Sequence, residues 1–415
     1  NHRLSPNDEL RKRYALPTSE LSGPVRRLLT VQALYILAGA LAGIFVNIFL
    51  WQTRTLRAVT IYNLFFFTAI PVFFIVGGAL AKAHRRSWGF TLGALLHMLF
   101  YSLLLVWATE AGDHLGFLGT LAGAATGFSW INLHTLAYDL VSREQRDRFF
   151  GLNGMFNTVS TLVGPLVAGF VIFRLGSPGG YRFVFGAAVA VFLVETVLSL
   201  GLRSAGGESL RLRTAFSLHA APGWERAIAA HFVTGARDGV LMTVGPILIY
   251  ALGANTLDFG RFNSLFALLT TGAYFLGVRL IRPGNRGTFL ALGSWGSLAA
   301  ALALAVVSGL PGIMIFNVLN AIFPVFYNLP YLAQYFDLMQ TVPHAAERRV
   351  ELIISREIWL DFGRVVSAAA FLLTGSSLTG PALRLVLPLA TAPLLLLPWL
   401  MSPASTRRAG GTADA

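Results

Sequence analysis

The sequence predicts an all-α membrane protein of twelve transmembrane helices in two pseudo-symmetric six-helix bundles. Three observations carry this. Hydrophobic residues make up 55% of the 415-residue chain and charged residues 12%, about half the charged fraction of a soluble domain. Apolar runs longer than about 18 residues recur from end to end, and each is long enough to cross a roughly 30 Å hydrocarbon core as a helix, which satisfies its own backbone hydrogen bonds without water. The longest internal polar stretch, 203–224, divides those runs into six and six.

Taken in order, residues 1–25 form a polar tail, 26–202 the first bundle, 203–224 a central loop, 225–402 the second bundle and 403–415 a second tail. Span one (26–50) holds Gly39 and Gly43, a small-residue pair expected to let a neighbouring helix approach closely, with Gln32 and Asn47 on an inner face. Span two (57–81) contains Pro71, and span three (87–108) contains His97. Span four (114–141) opens on Gly119, Gly123 and Gly127 and turns polar later, at Asn132 and His134. Spans five (147–174) and six (181–202) complete the half; Glu195 in span six is expected to snorkel or pair. The second half reads as spans over 225–252, 258–282, 287–308, 312–340, 347–374 and 380–402.

The formal charge of +13 orients the chain rather than marking a nucleic-acid surface. Twenty-three of the 32 basic residues fall in the tails and alternate loops of one side, six on the other side and three within spans. By the positive-inside rule both termini are cytoplasmic, in a multi-pass protein of the cytoplasmic membrane whose basic residues touch lipid headgroups. The N-tail shows no cleavable signal pattern. With no cysteine there is no disulfide or thiolate chemistry. No phosphate-binding loop and no paired metal-ligand spacing is present, so the reading is a non-enzyme without metal or cofactor, acting as a monomer.

An internal repeat supports the duplication. Asn132-Leu133-His134-Thr135-Leu136-Ala137 in span four and Asn328-Leu329-Pro330-Tyr331-Leu332-Ala333 in span ten share four of six residues. Both are followed by an aromatic residue, an aspartate and the next span.

Six plus six spans with a central loop resemble the major facilitator superfamily, and two motifs carry the likeness. Gly78-Ala79-Leu80-Ala81-Lys82-Ala83-His84-Arg85-Arg86 resembles that superfamily's loop between spans two and three, with Lys82 standing where the family has its acid. Ser160, Gly164, Pro165, Ala168 and Gly169 resemble the glycine–proline pattern of its exporters and antiporters. The resemblance implies that spans one, four, seven and ten line a central cavity. It also makes Gly78, Lys82, Arg85, Arg86, Gly164, Pro165 and Gly169 candidates for the conformational gate.

The charged residues inside spans are the sharpest functional signal. Glu357, Asp361 and Arg364 share one face of span eleven, with Arg356 at its edge, and Arg237 and Asp238 lie at a similar depth in span seven. An unpaired charge facing lipid costs roughly 2.5–3.5 kcal/mol even on lenient scales, so these six face protein or a water-filled cavity. Two compatible readings follow: an ion-pair network in which Arg237 fastens span seven to Asp361 or Glu357, and proton exchange at Glu357 or Asp361. Candidates for a substrate cavity are Gln32, Asn47, Asn132, His134, Asn157, Asn320, Asn328 and Tyr331, polar groups beside aromatic rings. The functional expectation is a secondary transporter working by alternating access, exporting a small amphiphilic or drug-like molecule with protons as coupling ion. A flippase for lipid-linked or glycolipid cargo and a non-transporting membrane sensor or scaffold are the alternatives.

Overall fold

The computed structural model describes residues 21–402 apart from 84–85, 143–144, 203–209, 218, 254, 346 and 376–380. The tails over 1–20 and 403–415, part of the central loop and the gate candidate Arg85 therefore lie outside the described residues. Every regular element among the described residues is helical. The long helices are α1 (Gly23–Thr53), α2 (Leu56–Ala83), α3 (Arg86–Trp107), α4 (Leu115–Leu140), α5 (Arg146–Leu175) and α6 (Gly179–Ser199) in the first half. The second half holds α7 (Trp224–Gly253), α8 (Thr256–Leu280), α9 (Arg286–Val306), α10 (Gly309–Gln340), α11 (Arg349–Leu373) and α12, which begins at Pro381–Thr391. A short helix, Leu212–Ala215, belongs to the central linker.

Nine of these helices are long and apolar enough to cross a membrane. The other three are α4, α8 and α11, of 26, 25 and 25 residues. At 1.5 Å per residue each is also long enough, about 37 Å or more. Their extra glycine, polar or charged residues lower their apolarity, and all three pack on other helices along much of their length.

Local chemistry sets the interruptions. Gly176, at φ 69°, ends α5 in a conformation that side chains with a Cβ avoid, and Asn255 caps α8 by accepting from the Asp258 N–H at 2.8 Å. The proline-rich α12 passes through a 3₁₀ turn at Ala392–Leu396 before Leu397–Leu400. Helix α1 contains a π-helical turn over Gly39–Gly43, a feature concentrated at functional sites. This revises the packing expected of that glycine pair. Gly39 faces open space, and it is Ala40 that lies against Gly164 of α5.

Close packing is instead built by two other glycine ladders. Gly119, Gly123 and Gly127 of α4 rest on the carbonyls of Tyr62, Phe66 and Ile70 of α2, where a Cβ would collide. Gly235 and Gly239 of α7 rest on the carbonyls of Leu360 and Arg364 of α11, and Gly363 answers against Phe232. Large apolar side chains such as Val163, Phe170 and Phe173 on α5 and Leu268, Phe275 and Val278 on α8 point outward, the pattern of a protein dissolved in lipid.

The halves join in two symmetric places, α2 along α11 and α5 along α8. Exchange of halves carries α2 onto α8 and α11 onto α5, so these two seams are equivalent. At the end far from the central linker, one apolar cluster crosses both halves and includes Phe45, Phe49 and Phe185 with Val244, Ile247 and Phe259. There Asn47 donates to the Met242 carbonyl at 2.8 Å and Gln52 donates to the Tyr250 hydroxyl at 2.9 Å. At the linker end the clusters of the two halves are separate, joined by a smaller one between α2 and α11 that includes Phe74, Val350 and Ile354.

Candidate functional site

Two neighbouring regions carry the chemistry. The first is a cavity of about 650 Å³ inside the N-terminal half, lined from α1 to α6. Tyr35 lines it, with ring centroids 5.5 Å from His97, 6.0 Å from Trp130 and 6.4 Å from Phe192. His97 stacks on Phe192 at 4.8 Å and donates its Nδ1–H to the Gly93 carbonyl at 3.0 Å. Gln32, His134, Asn153 and Asn157 add polar groups; no lysine, arginine, aspartate or glutamate is among the described lining residues. Trp130, His134, Phe150 and Gly154, toward the linker end, are exposed, while Tyr62, Phe100 and Tyr101 at the far end are buried. The cavity therefore opens toward the linker end.

The second region is the charge cluster of the C-terminal half. The glycine ladder between α7 and α11 brings Arg237 and Asp238 level with Asp361 and Arg364. Asp361 is fully buried; its Oδ1 lies 2.7 Å from Arg364 Nη1 and its Oδ2 has no partner among the described residues. Arg364 also reaches Glu357 at 3.8 Å and Asp238 at 4.0 Å, and Asp238 lies 3.5 Å from Arg237.

Here the expectation for Arg237 fails. Its guanidinium turns to α10, donating to the Tyr327 hydroxyl at 3.1 Å and to Asn320 Oδ1, and it makes no pair with Asp361 or Glu357. The tie between α7 and α11 runs from Asp238 to Arg364 instead. The reason is geometric: adjacent helical residues point about 100° apart, so Arg237 and Asp238 face different neighbours. Arg356 has no carboxylate within 4 Å among the described residues, and its Nε is buried without a partner.

Of the cavity candidates, Gln32, His134 and Asn157 line the N-terminal cavity. The others lie elsewhere. Asn47 ties α1 to α7 and accepts from Asn63 Nδ2 at 3.1 Å. Asn132 is buried against α2 and α3, donating to the Phe128 carbonyl at 2.8 Å. Asn320 holds Arg237, and Tyr331 shares its hydroxyl with His231 Nδ1. Asn328 is half-buried on α10. Among the described residues none of α7 or α10 lines this cavity, contrary to the four-span lining expected from the resemblance; Arg237 with Asn320 and Tyr327, and His231 with Tyr331, face one another between α7 and α10 instead.

Four gate candidates sit on the two seams, Gly78 and Lys82 on one and Pro165 and Gly169 on the other, whereas Gly164 lies against Ala40 of α1. Gly78 lies against Val350 and Ile354 of α11. Lys82, buried, pairs at 2.7 Å with Glu351, which is buried too, and Glu351 also accepts the Arg211 backbone N–H of the linker at 3.0 Å. Arg86 begins α3, with its side chain outside the described residues. On the other seam Pro165 and Gly169 meet Gly260 and Thr256 of α8. Sequence reasoning missed Glu351 as the partner of Lys82; the signal was an acid on span eleven opposite a position whose sign is inverted. It also misplaced Glu195, which is fully buried and whose oxygens both lack partners among the described residues.

A two-bundle helical fold with symmetric seams, a cavity opening at one end and buried charges beside it defines a membrane transporter fold rather than an enzyme's. The chain belongs to the Major Facilitator Superfamily, whose family model matches residues 28–350. It is 30% identical over 349 residues to the Bacillus subtilis (strain 168) "Uncharacterized protein YqgE", covering 83% of this chain and 81% of that one. A protein of Geobacillus stearothermophilus described as "Uncharacterized protein in sodM 3'region" is 34% identical over 181 residues, 43% of this chain and 85% of its own. Among solved structures the nucleoside transporter NupG matches with a TM-score of 0.66 at 11% identity, covering 92% of this chain and 98% of its own. The peptide transporter POT in complex with sulfate matches with a TM-score of 0.68 at 14% identity, covering 96% and 99%. At these identities the likeness is one of fold.

Proposed function

We propose that this protein is a proton-coupled secondary transporter that exports a small amphiphilic molecule across the cytoplasmic membrane by alternating access. One observation carries the coupling: Asp361 is fully buried, with one oxygen on Arg364 and the other without a partner among the described residues. A proton on that carboxyl cancels the charge holding Arg364 at 2.7 Å. The guanidinium is then drawn toward Glu357 and Asp238, at 3.8 and 4.0 Å, and the tie between α7 and α11 changes. Removing one partner of a buried pair costs about 3–5 kcal/mol, enough to shift a two-state equilibrium by about two to nearly four orders of magnitude.

The aromatic cavity with amide and imidazole groups suits an amphiphile. With the linker end cytoplasmic, as the basic residues favour, the cavity faces the side from which an exporter loads. The α5 glycine–proline pattern, packed against α1 and α8, favours the same direction.

Flux of ethidium, a fluorescent amphiphile, into inside-out proteoliposomes with an imposed pH gradient tests this reading. Accumulation should require the gradient, collapse with a protonophore and fail in Asp361→Asn. Binding without flux under any gradient would identify a sensor instead.

One observation favours the flippase reading as the alternative. An apolar groove of about 720 Å³ between α1 and α5, lined by Leu29, Leu37 and Phe156, carries Arg26 and Arg148 at the linker end. Scrambling of a labelled phospholipid without proton-driven ethidium flux would select it.

A further inference from the structure

Two amide side chains in the wall of the N-terminal cavity carry oxygens that find no partner. Gln32 of α1 and Asn153 of α5 both line the cavity. Gln32 Oε1 and Asn153 Oδ1 are buried without a hydrogen-bond partner among the described residues. Other buried polar atoms lack partners too, but among the described residues these two are the ones that belong to the cavity lining. Helices α1 and α5 run parallel and touch where Ala40 meets Gly164. Gln32 lies eight residues before Ala40 and Asn153 eleven before Gly164. At a rise of about 1.5 Å per residue their depths differ by roughly 5 Å, about one helical turn, on the linker side of that contact. Adjacent walls thus hold two unpaired acceptors at nearly the same level.

An amide oxygen taken out of water without a donor destabilises the fold, and an apolar side chain of similar shape would fill the same space without that cost. The rest of the lining is mostly aromatic. Trp130 and Phe150 expose ring surface at the open end, and Tyr35, Phe100, Tyr101 and Phe192 stand behind them. Such rings stack on planar aromatic guests. With no lysine, arginine, aspartate or glutamate among the described lining residues, recognition falls to stacking and hydrogen bonding rather than to ion pairing.

We propose that the cavity takes a planar aromatic molecule whose edge carries N–H donors, and that Gln32 Oε1 and Asn153 Oδ1 are the acceptors that select it. The proposal names the cargo class of the transport reading above and rests on it. The rings hold the plane of the guest, and the two oxygens receive its N–H groups. A ring of the same shape without donors leaves both acceptors buried and unpaired, which is how a hydrogen-bonding site rejects an analogue that lacks the matching group. The two amides thus destabilise the empty protein and are satisfied when the guest is seated.

The test uses ethidium and its analogue lacking both ring amino groups, two planar cations with the same ring system and charge that differ in their N–H donors. Full-length protein in nanodiscs is dialysed to equilibrium against each, with empty nanodiscs as the blank. The wild type is expected to bind ethidium at least about tenfold more tightly than the analogue, a difference of about 1.4 kcal/mol. Gln32→Met and Asn153→Leu should each weaken ethidium binding by at least about threefold and leave the analogue unchanged. The double variant should bring the two ligands within about twofold of each other. Without ligand, each variant should melt at or above the wild-type temperature, since an unpaired acceptor has been removed. Equal binding of the two ligands, binding of neither, a preference that survives the double variant, or a lowered melting temperature in either single variant would each overturn the proposal. A preference for ethidium with no flux would leave this site standing and remove the transport reading; gradient-driven flux with no preference between the two ligands would do the reverse.

Discussion

Helices α1 and α5 of the first half correspond to α7 and α11 of the second, yet the two pairs are packed to opposite ends. Between α7 and α11 a glycine ladder brings backbones into contact, and the charges are held within 2.7–4.0 Å of one another. Between α1 and α5 the main close approach is Ala40 on Gly164, beside a π-helical turn, and the space left over becomes the aromatic cavity. Tight packing suits ion pairs, whose attraction in a dry interior depends on good geometry. A looser, aromatic-lined space suits a guest molecule. Two halves of one scaffold thus differ: one holds a charge network and the other an aromatic-lined cavity.

The strongest way to break this division is at Asp361. Asp361→Asn removes the carboxyl on which the proposed coupling rests while keeping its shape, so gradient-driven flux should fall to that of empty liposomes while the melting transition is retained. Full flux from this variant would move coupling elsewhere. Next in size is Arg364→Met, which strands a buried carboxylate and should destabilise by about 3–5 kcal/mol. Combining it with Asp361→Asn should recover most of that loss in a denaturant melt, since the two residues act as one unit.

The seam between the halves gives a third test. Lys82→Glu and Glu351→Lys should each cost about 3 kcal/mol by leaving like charges buried together. The double exchange should restore most of it; additive losses would mean that the 2.7 Å pair contributes nothing specific. The smallest effect separates the two kinds of packing. Gly239→Ala, on the closed side, should destabilise by about 1–3 kcal/mol through overpacking. Gly39→Ala, facing open space in α1, should be neutral or slightly stabilising, as thermal shift would read.

Much of this was legible in the residues. The helices observed at each of the twelve expected positions fall within a few residues of the apolar runs, because length and apolarity are local properties that lipid selects directly. That Glu357, Asp361 and Arg364 keep together away from lipid was equally legible, since charge in an apolar run is costly wherever the run packs. The partners were not. Arg237 and Asp238 are neighbours in the chain, and only helix rotation sends one to Tyr327 and the other to Arg364. Gly39 and Gly43 matched a packing motif, but the π-helical turn shifted the contact to Ala40.

What the sequence determined by itself is the apolar helical scaffold and the presence of charge inside α7 and α11. Those follow from periodicity and composition, which a chain carries before it folds. Tertiary structure decided which charges pair, that Lys82 meets Glu351 across the seam, and that Glu195 is buried without a partner among the described residues. Each of these depends on the rotation and depth of one helix against another. Those are set by where small residues allow backbones to touch, and a single strand of sequence cannot display which neighbour will be there to touch.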